Sequence, residues 1–407
     1  MEHFRKLGIS EPVIRAIEES KFVKPSTIQE KTVPFVIEGK DVIAGSATGS
    51  GKTLAFGAGI IQNSERGRGI QALVLTPTRE LAEQVAKALK KFSKYKPLNV
   101  TAIYGGVSIN PQISELRSTD VVVGTPGRIL DHLERRTIEL GNVKILVIDE
   151  ADRMFDMGFI DDVEKIIRRC PEKRQTLLFS ATISPEVKRL SRRHMRNPVE
   201  VSAEQQVDPR KLTQVYYNVQ ENLKFSLLVH LLEHENAGLV MVFCNTRRTV
   251  DFVARNLKSA KVEAMAIHGG LPQGKRNTIM SSFHAGKTYV LVCTDVAARG
   301  LDIPGVSHVY NYDIPKESKQ YIHRIGRTAR AGKEGIAINL LSQKDYDNFD
   351  RVLRENQVEI KKEISPRIEQ VQIKWSEKPR FGRSFGERED RRDYGRGNSN
   401  KNRFRRR

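Results

Sequence analysis

The chain has 407 residues, more than one ordinary domain holds, and its 69 Lys and Arg against 49 Asp and Glu give a formal charge of +20. That surplus points to a polyanionic partner without by itself establishing one. Three scattered cysteines (Cys170, Cys244, Cys293) exclude a disulfide scaffold and a Cys-rich zinc site, and the longest apolar stretches, such as Leu54 to Ile61, fall far short of a membrane span.

In chain order, the N-terminus MEHFRKLGISEP lacks the apolar core of a secretory signal, so a soluble, cytoplasmic protein without a membrane partner is expected. From Val42, short apolar runs alternate with helical intervals: VIAG (42–45), ALVLTP (72–77), VTAIYGG (100–106), VVVGTP (121–126), ILVIDEAD (145–152) and TLLFSAT (176–182). Unbroken apolar runs predict strands buried on both faces of a parallel sheet, with intervals such as RELAEQVAKALKKF as crossovers. Asn197 to Lys211 turns polar, with Pro198 and Pro209, and reads as a connector, its core at 203–211. A second series follows: TQVYYNV (213–219), LVMVFCNT (239–246), VEAMAIHGG (262–270), YVLVCTD (289–295), HVYNYDIP (308–315) and GIAINLLS (335–342), closed by a helix through DNFDRVLREN. Two α/β domains are therefore expected, 1–202 and 212–365, with a basic extension at 366–407. From Ser376 the last 32 residues hold 12 Lys or Arg and 5 acidic residues. So few apolar groups cannot offset the ordering entropy, and disorder is expected there.

The segment Ser46-Ala47-Thr48-Gly49-Ser50-Gly51-Lys52-Thr53 follows the first strand and opens an apolar helical run. Such a loop closes backbone N–H groups around phosphates at the positive end of a helix. Lys52 can reach the β- and γ-phosphates, and the Thr53 hydroxyl suits Mg²⁺. Ser46 stands where the general pattern has its first glycine. Gly286-Lys287-Thr288 also spells GKT, but it precedes a strand and reads as a turn. Asp149-Glu150-Ala151-Asp152 ends the run ILVI, where a carboxylate supplies the second metal contact. Asp149 suits the metal, and Glu150 can deprotonate the attacking water.

With SAT at 180–182, these residues make the chain resemble the DEAD-box RNA helicases of superfamily two, over about 4–342. The resemblance implies two tandem RecA-like domains, ATP and Mg²⁺ as cofactors, and RNA as partner. Phe22-x-x-Pro25-x-x-Ile28-Gln29 is similar to the family's Q motif, with Phe4 as its upstream aromatic; Gln29 would then read the adenine edge and Phe22 pack on the ring. Pro25-Ser-Thr before IQEK is equally a capped helix start, and both readings stand. His323-Arg-Ile-Gly-Arg-Thr-Ala-Arg330 is similar to motif VI, giving Arg327 and Arg330 to the γ-phosphate, Arg330 as the arginine finger. Ala329 stands where the family more often has glycine. Asp302 matches the acid that touches the ribose. Ser180, Thr182, Asp152 and His323 are the implied links between nucleotide and RNA.

RNA contacts implied by the resemblance are Pro77, Thr78, Arg79, Gly105, Gly106, Thr125, Gly127 and Arg128 in the first domain. In the second they are Thr246, Arg247, Gly270, Gln273, Arg276, Thr294 and Arg299. Glycines, hydroxyls and guanidiniums with few aromatics suit a sugar–phosphate backbone, so binding is expected to be sequence-independent and salt-sensitive. Local, non-processive unwinding coupled to domain closure is implied; an ATP-gated clamp or annealing chaperone would carry the same sequence. A monomer with ribonucleoprotein or ribosomal partners is the expected setting. The tail reads as an RNA tether or as a solubilising segment.

Overall fold

The structure, a computed structural model, describes residues 1–46, 49–202, 212–235, 237–298, 303, 305–329 and 334–373. The 203–211 connector and the tail from 374 lie outside those residues. In the first domain the strands are β1 (Val42–Gly45), β2 (Ala72–Leu75), β3 (Val100–Ile103), β4 (Val121–Gly124), β5 (Ile145–Ile148), β6 (Gln175–Ser180) and β7 (Val199–Ser202). In the second they are β8 (Leu212–Asn218), β9 (Leu239–Phe243), β10 (Ala264–Ile267), β11 (Val290–Cys293), β12 (Val306–Asn311), β13 (Gly335–Leu341) and β14 (Lys361–Glu363).

The sheet orders are β3-β4-β2-β5-β6-β1-β7 and β10-β11-β9-β12-β13-β8-β14, with every pairing parallel. Numbered from its own first strand, each sheet has the same order. These are tandem RecA-like domains. The unbroken apolar runs are buried on both faces because helices cover both. Val74, Val123 and Val147 pack against one helical layer, and Leu73, Val122 and Leu146 against the other.

Two expectations need correction. Asn197 to Lys211 is not all connector, because Val199–Ser202 forms β7 and pairs with β1 from Val42↔Val199 onwards. It is an edge strand, and only Val201 of its four residues is buried, so its composition resembles a loop. In addition, several runs end sooner than their apolar letters. The Thr-Pro of VVVGTP turns into the helix Pro126–Glu134, whose first position takes the proline. β14 was not foreseen; it is a three-residue, largely exposed edge strand. Beyond it, Ser365 Oγ donates to the Asn218 carbonyl and the Val371 N–H to Ser226 Oγ, so the chain stays tied to the second domain that far.

The repeated order extends to the loops. Ser46 N–H donates to the Ser180 carbonyl between the ends of β1 and β6, and Val219 N–H to Leu341 between the ends of β8 and β13. Lys52 opens the helix after β1, and Lys224 opens the helix after β8. Lys224 is fully buried, 2.5 Å from Asp345 and over the Tyr312 ring.

Candidate active site and nucleic-acid interface

β1 delivers the chain into a turn where Gly49 (φ +79°) and Gly51 (φ +91°) take left-handed conformations. At Gly51 a side chain is doubly excluded, because a Cβ there would lie 2.4 Å from Gln29 Nε2. Ser46 Oγ meets Ser50 Oγ at 2.5 Å. Buried Lys52 donates to the Ser46 carbonyl at 3.3 Å and lies 3.7 Å from Asp149 Oδ1. Thr53 follows on the same first turn. Burial pushes the Asp149 carboxyl up to about 6, opposed by the Lys52 ammonium.

Glu150 has φ +54° and ψ +51°, which costs a residue with a Cβ about 1–2 kcal/mol. Its carboxylate is buried against Arg153 at 2.5 Å, a partner the sequence reading did not name. Asp152 accepts from the Thr182 N–H (3.1 Å) and hydroxyl (3.2 Å), while its own N–H donates to Ser180 Oγ. Asp152, Ser180 and Thr182 thus form one bonded unit spanning the ends of β5 and β6.

Ser26 and Gln29 form a capping box at the helix Thr27–Ile37. The same side chains reach the glycine-rich loop after β1, Gln29 Nε2 to the Gly51 carbonyl (2.9 Å) and Ser26 Oγ to that of Ser50 (2.7 Å). The ring of Phe22 is partly exposed, 6.3 Å from that of Phe92. Phe4 is wholly buried in the first core, so any effect on a nucleotide would run through what it supports.

A cleft of about 460 Å³ brings Pro77, Thr78, Arg79, Gly105, Thr125, Gly127 and Arg128 together with Gln273 and Arg276 of the second domain. Glu80 spans it: its Oε1 accepts from Arg276 at 2.6 Å and from Gln273 at 3.2 Å. Gly106 (φ +80°) lies beneath Arg79, where a Cβ would overlap the guanidinium. Arg128 is held by the Gln112 side chain and the Val107 carbonyl. Thr246 caps its helix through Thr249 N–H, and Arg247 lies near Gly269 and Gly270. Thr294, buried, precedes the short helix Asp295–Ala298.

In the second domain Arg324 is 1% exposed and saturated. It grips Asp295 with two nitrogens (2.6 and 2.7 Å), and also bonds Asn245 Oδ1, Asn311 Oδ1 and the Asp313 carbonyl, over the Phe243 ring. Asn245 follows β9 and Asp295 follows β11, so one guanidinium ties the loops after these two strands to the helix that leads to Arg327. Arg327 is buried beside His323 and Asp295 around a small cavity. Arg324 stands within the Arg-rich segment, but spacing alone does not show which arginine turns inward. Thr48, Arg299, Asp302 and Arg330 lie outside the described residues.

Comparison with known proteins bears on this geometry. The DEAD/DEAH box helicase family model matches residues 26–190, and that of the helicase conserved C-terminal domain residues 223–332. The chain is 45% identical over 370 residues to the ATP-dependent RNA helicase CshA of Listeria monocytogenes, covering 90% of this chain and 70% of that protein. The chain belongs to the DEAD-box ATP-dependent RNA helicases. This helicase also resembles solved structures along most of its length. Saccharomyces cerevisiae Dbp5 bound to RNA and ADP BeF3 superposes with a TM-score of 0.81 at 32% identity, over 90% of this chain and 96% of that one. A DEAD box protein from Methanococcus jannaschii has 40% identity but a TM-score of 0.54, over 88% and 98%. Among the described residues, no helix of this helicase is long and apolar enough to cross a membrane.

Proposed function

We propose that this helicase couples RNA-stimulated ATP hydrolysis to closure of its two domains, and that closure locally and non-processively opens short RNA duplexes or remodels ribonucleoproteins. The observation that carries this reading is the two-sided cleft, with first-domain residues on one wall and Gln273 and Arg276 on the other. The likeness to a Dbp5 structure containing RNA and ADP BeF3 supports a closed arrangement. The segment 203–211 would link domains 1–202 and 212–365.

In this reading the Gly49–Thr53 loop and Thr48 hold the phosphates, with Lys52 toward the β and γ groups. Gln29 and Phe22 would take the adenine and Asp302 the ribose. Gln29 already bonds the phosphate loop through its amide nitrogen, so adenine binding would be sensed there directly. Among the described residues no cluster of three or more His, Cys, Asp or Glu could hold a metal. The hydroxyl of Thr53 and carboxylate of Asp149 are nonetheless hard oxygen donors that fit Mg²⁺, an ion taking most of its ligands from phosphates and water. Held there, it would offset the charge on the phosphates. Glu150 would leave Arg153 to accept a proton from the attacking water, whose oxygen then bonds to the γ-phosphorus as the bond to ADP breaks. Arg327 and Arg330 would meet the charge that develops, an effect of about 10³–10⁵ in rate. The Asp152–Ser180–Thr182 unit and His323 would relay RNA binding to this site.

The cleft residues, with Gly106, Thr246, Arg247, Gly270, Thr294 and Arg299, would hold the RNA backbone without reading sequence. We place the protein in the cytoplasm as a monomer, its basic tail tethering RNA. The test is ATP turnover with no nucleic acid, with single-stranded RNA and with matched DNA, followed by strand separation of a short RNA duplex. RNA alone should stimulate, and Glu150→Gln should bind ATP yet stall. Equal stimulation by DNA would overturn RNA selectivity; stimulation without strand separation would favour a clamp or annealing chaperone.

A further inference from the structure

Two helices leave the cleft side by side. Gly127 and Arg128, in the first turn of Pro126–Glu134, line the cleft, and so does Phe159, just before the helix Ile160–Ile167. Farther along, the same two helices enclose a groove of about 440 Å³, with Leu130, Leu133 and Glu134 on one wall and Lys165, Arg168 and Arg169 on the other. It adjoins a second hollow of about 490 Å³ that contains Arg136 and again Arg169. From Arg128 to Leu133 is about 8 Å along the helix axis.

The charges there are unequally engaged. Arg168 pairs with Glu164 at 3.4 Å and Lys165 with Asp162 at 3.5 Å. Arg136 and Arg169 have no ion-pair partner among the described residues and are exposed. Glu134, which lines both hollows, and Glu139, which lines the outer one, oppose an anion there, so the unpaired guanidiniums of Arg136 and Arg169 are the groups that would receive it. Arg136 also has φ +55°, just past a helix end, where glycine is ordinarily preferred and a larger residue costs about 1 kcal/mol.

We propose that this groove is a second RNA-binding segment, taking single-stranded RNA that leaves the cleft, with Arg136 and Arg169 on phosphates and Leu130 and Leu133 under ribose or base. It rests on the reading of the cleft as the primary RNA site. Continuity with that cleft favours RNA over an acidic protein segment, since the groove walls are extensions of the cleft walls. Nothing in it reads base edges, so it would add affinity and leave sequence preference unchanged.

The test uses the full chain with ADP and beryllium fluoride, and fluorescence anisotropy on one RNA that only fills the cleft and two others extended at the 5′ or the 3′ end. One extended RNA should bind about five- to tenfold tighter than the short one. Arg136→Gln/Arg169→Gln should abolish that advantage and lower the salt slope for that RNA by about 1.4, while affinity for the short RNA and RNA-saturated turnover stay unchanged. The tail is common to both proteins, so the difference reports the groove. An advantage retained by the variant, or absent from the parent, overturns the proposal. So does loss of polyglutamate binding in the variant with RNA binding intact, which assigns the groove to an acidic protein. Failure of the short RNA to bind at all overturns the cleft reading, and the groove with it.

Discussion

Ala329 illustrates how one methyl group can carry strain into a functional segment. It is buried with φ +54°, beside Thr328, whose hydroxyl donates to the Val306 and Ser307 carbonyls. The left-handed conformation accounts for the glycine more often found here in the resembling family. Ala329→Gly should relieve the Cβ crowding and lose part of that gain to backbone entropy, a net stabilisation of up to about 1 kcal/mol. Thermal melting checks it, and a lowered midpoint would contradict the strain argument. Glu150 bears a similar strain, but there the left-handed turn ends a strand and starts a helix within one residue.

At the scale of elements, the interior strands and the apolar edge strands β3 and β10 were legible, and the polar edge strands β7 and β14 were not. A central parallel strand such as ILVI must be apolar on both faces, and its letters say so. β7 and β14 touch the sheet along one side, so their sequences, VEVS and KKE, obey solvent as much as packing. The glycine-rich turn after β1 and the acidic turn after β5 were legible because their residues are contiguous in sequence. The bonds of Arg324 to Asp295 and Asn245, and of Glu80 to Arg276, join residues far apart in sequence, and no spacing rule reaches them.

The helix beginning at Lys224 provides a test at the same scale. Its ammonium is enclosed with Asp345, which also accepts from the Ser342 N–H and hydroxyl. Asp345→Ala leaves a buried charge uncompensated and should cost about 3–5 kcal/mol in chemical denaturation. A loss below about 1 kcal/mol would mean that water reaches the pair.

For the whole molecule, pH should act through burial. His132, His194 and His308 are each held below the ordinary imidazole value, mainly by desolvation. Below about pH 6.5 the unfolded chain therefore binds protons that the folded chain refuses. The stability these histidines contribute is complete above that point and falls as pH drops through it, each adding up to about 1.4 kcal/mol per pH unit within its window, while Asp149, pushed up to about 6, works in the opposite direction. Urea midpoints at about pH 7.5 and 5.5 should differ in that direction, and His132→Gln should narrow the gap. A midpoint difference left unchanged by His132→Gln would refute it.

The repeated strand order has a consequence for the division of labour. The chain contains two copies of one architecture, yet only the first has glycines between strand end and lysine. In the second, Val219 to Leu223 contains no glycine, and Lys224 is fully buried against Asp345 at 2.5 Å, closer than Asp149 stands to Lys52. On the proposed reading, fuel would enter through the first copy alone. In the proposed cycle the other, sealed by its own side chain, would be the jaw that closes on what the first has bound.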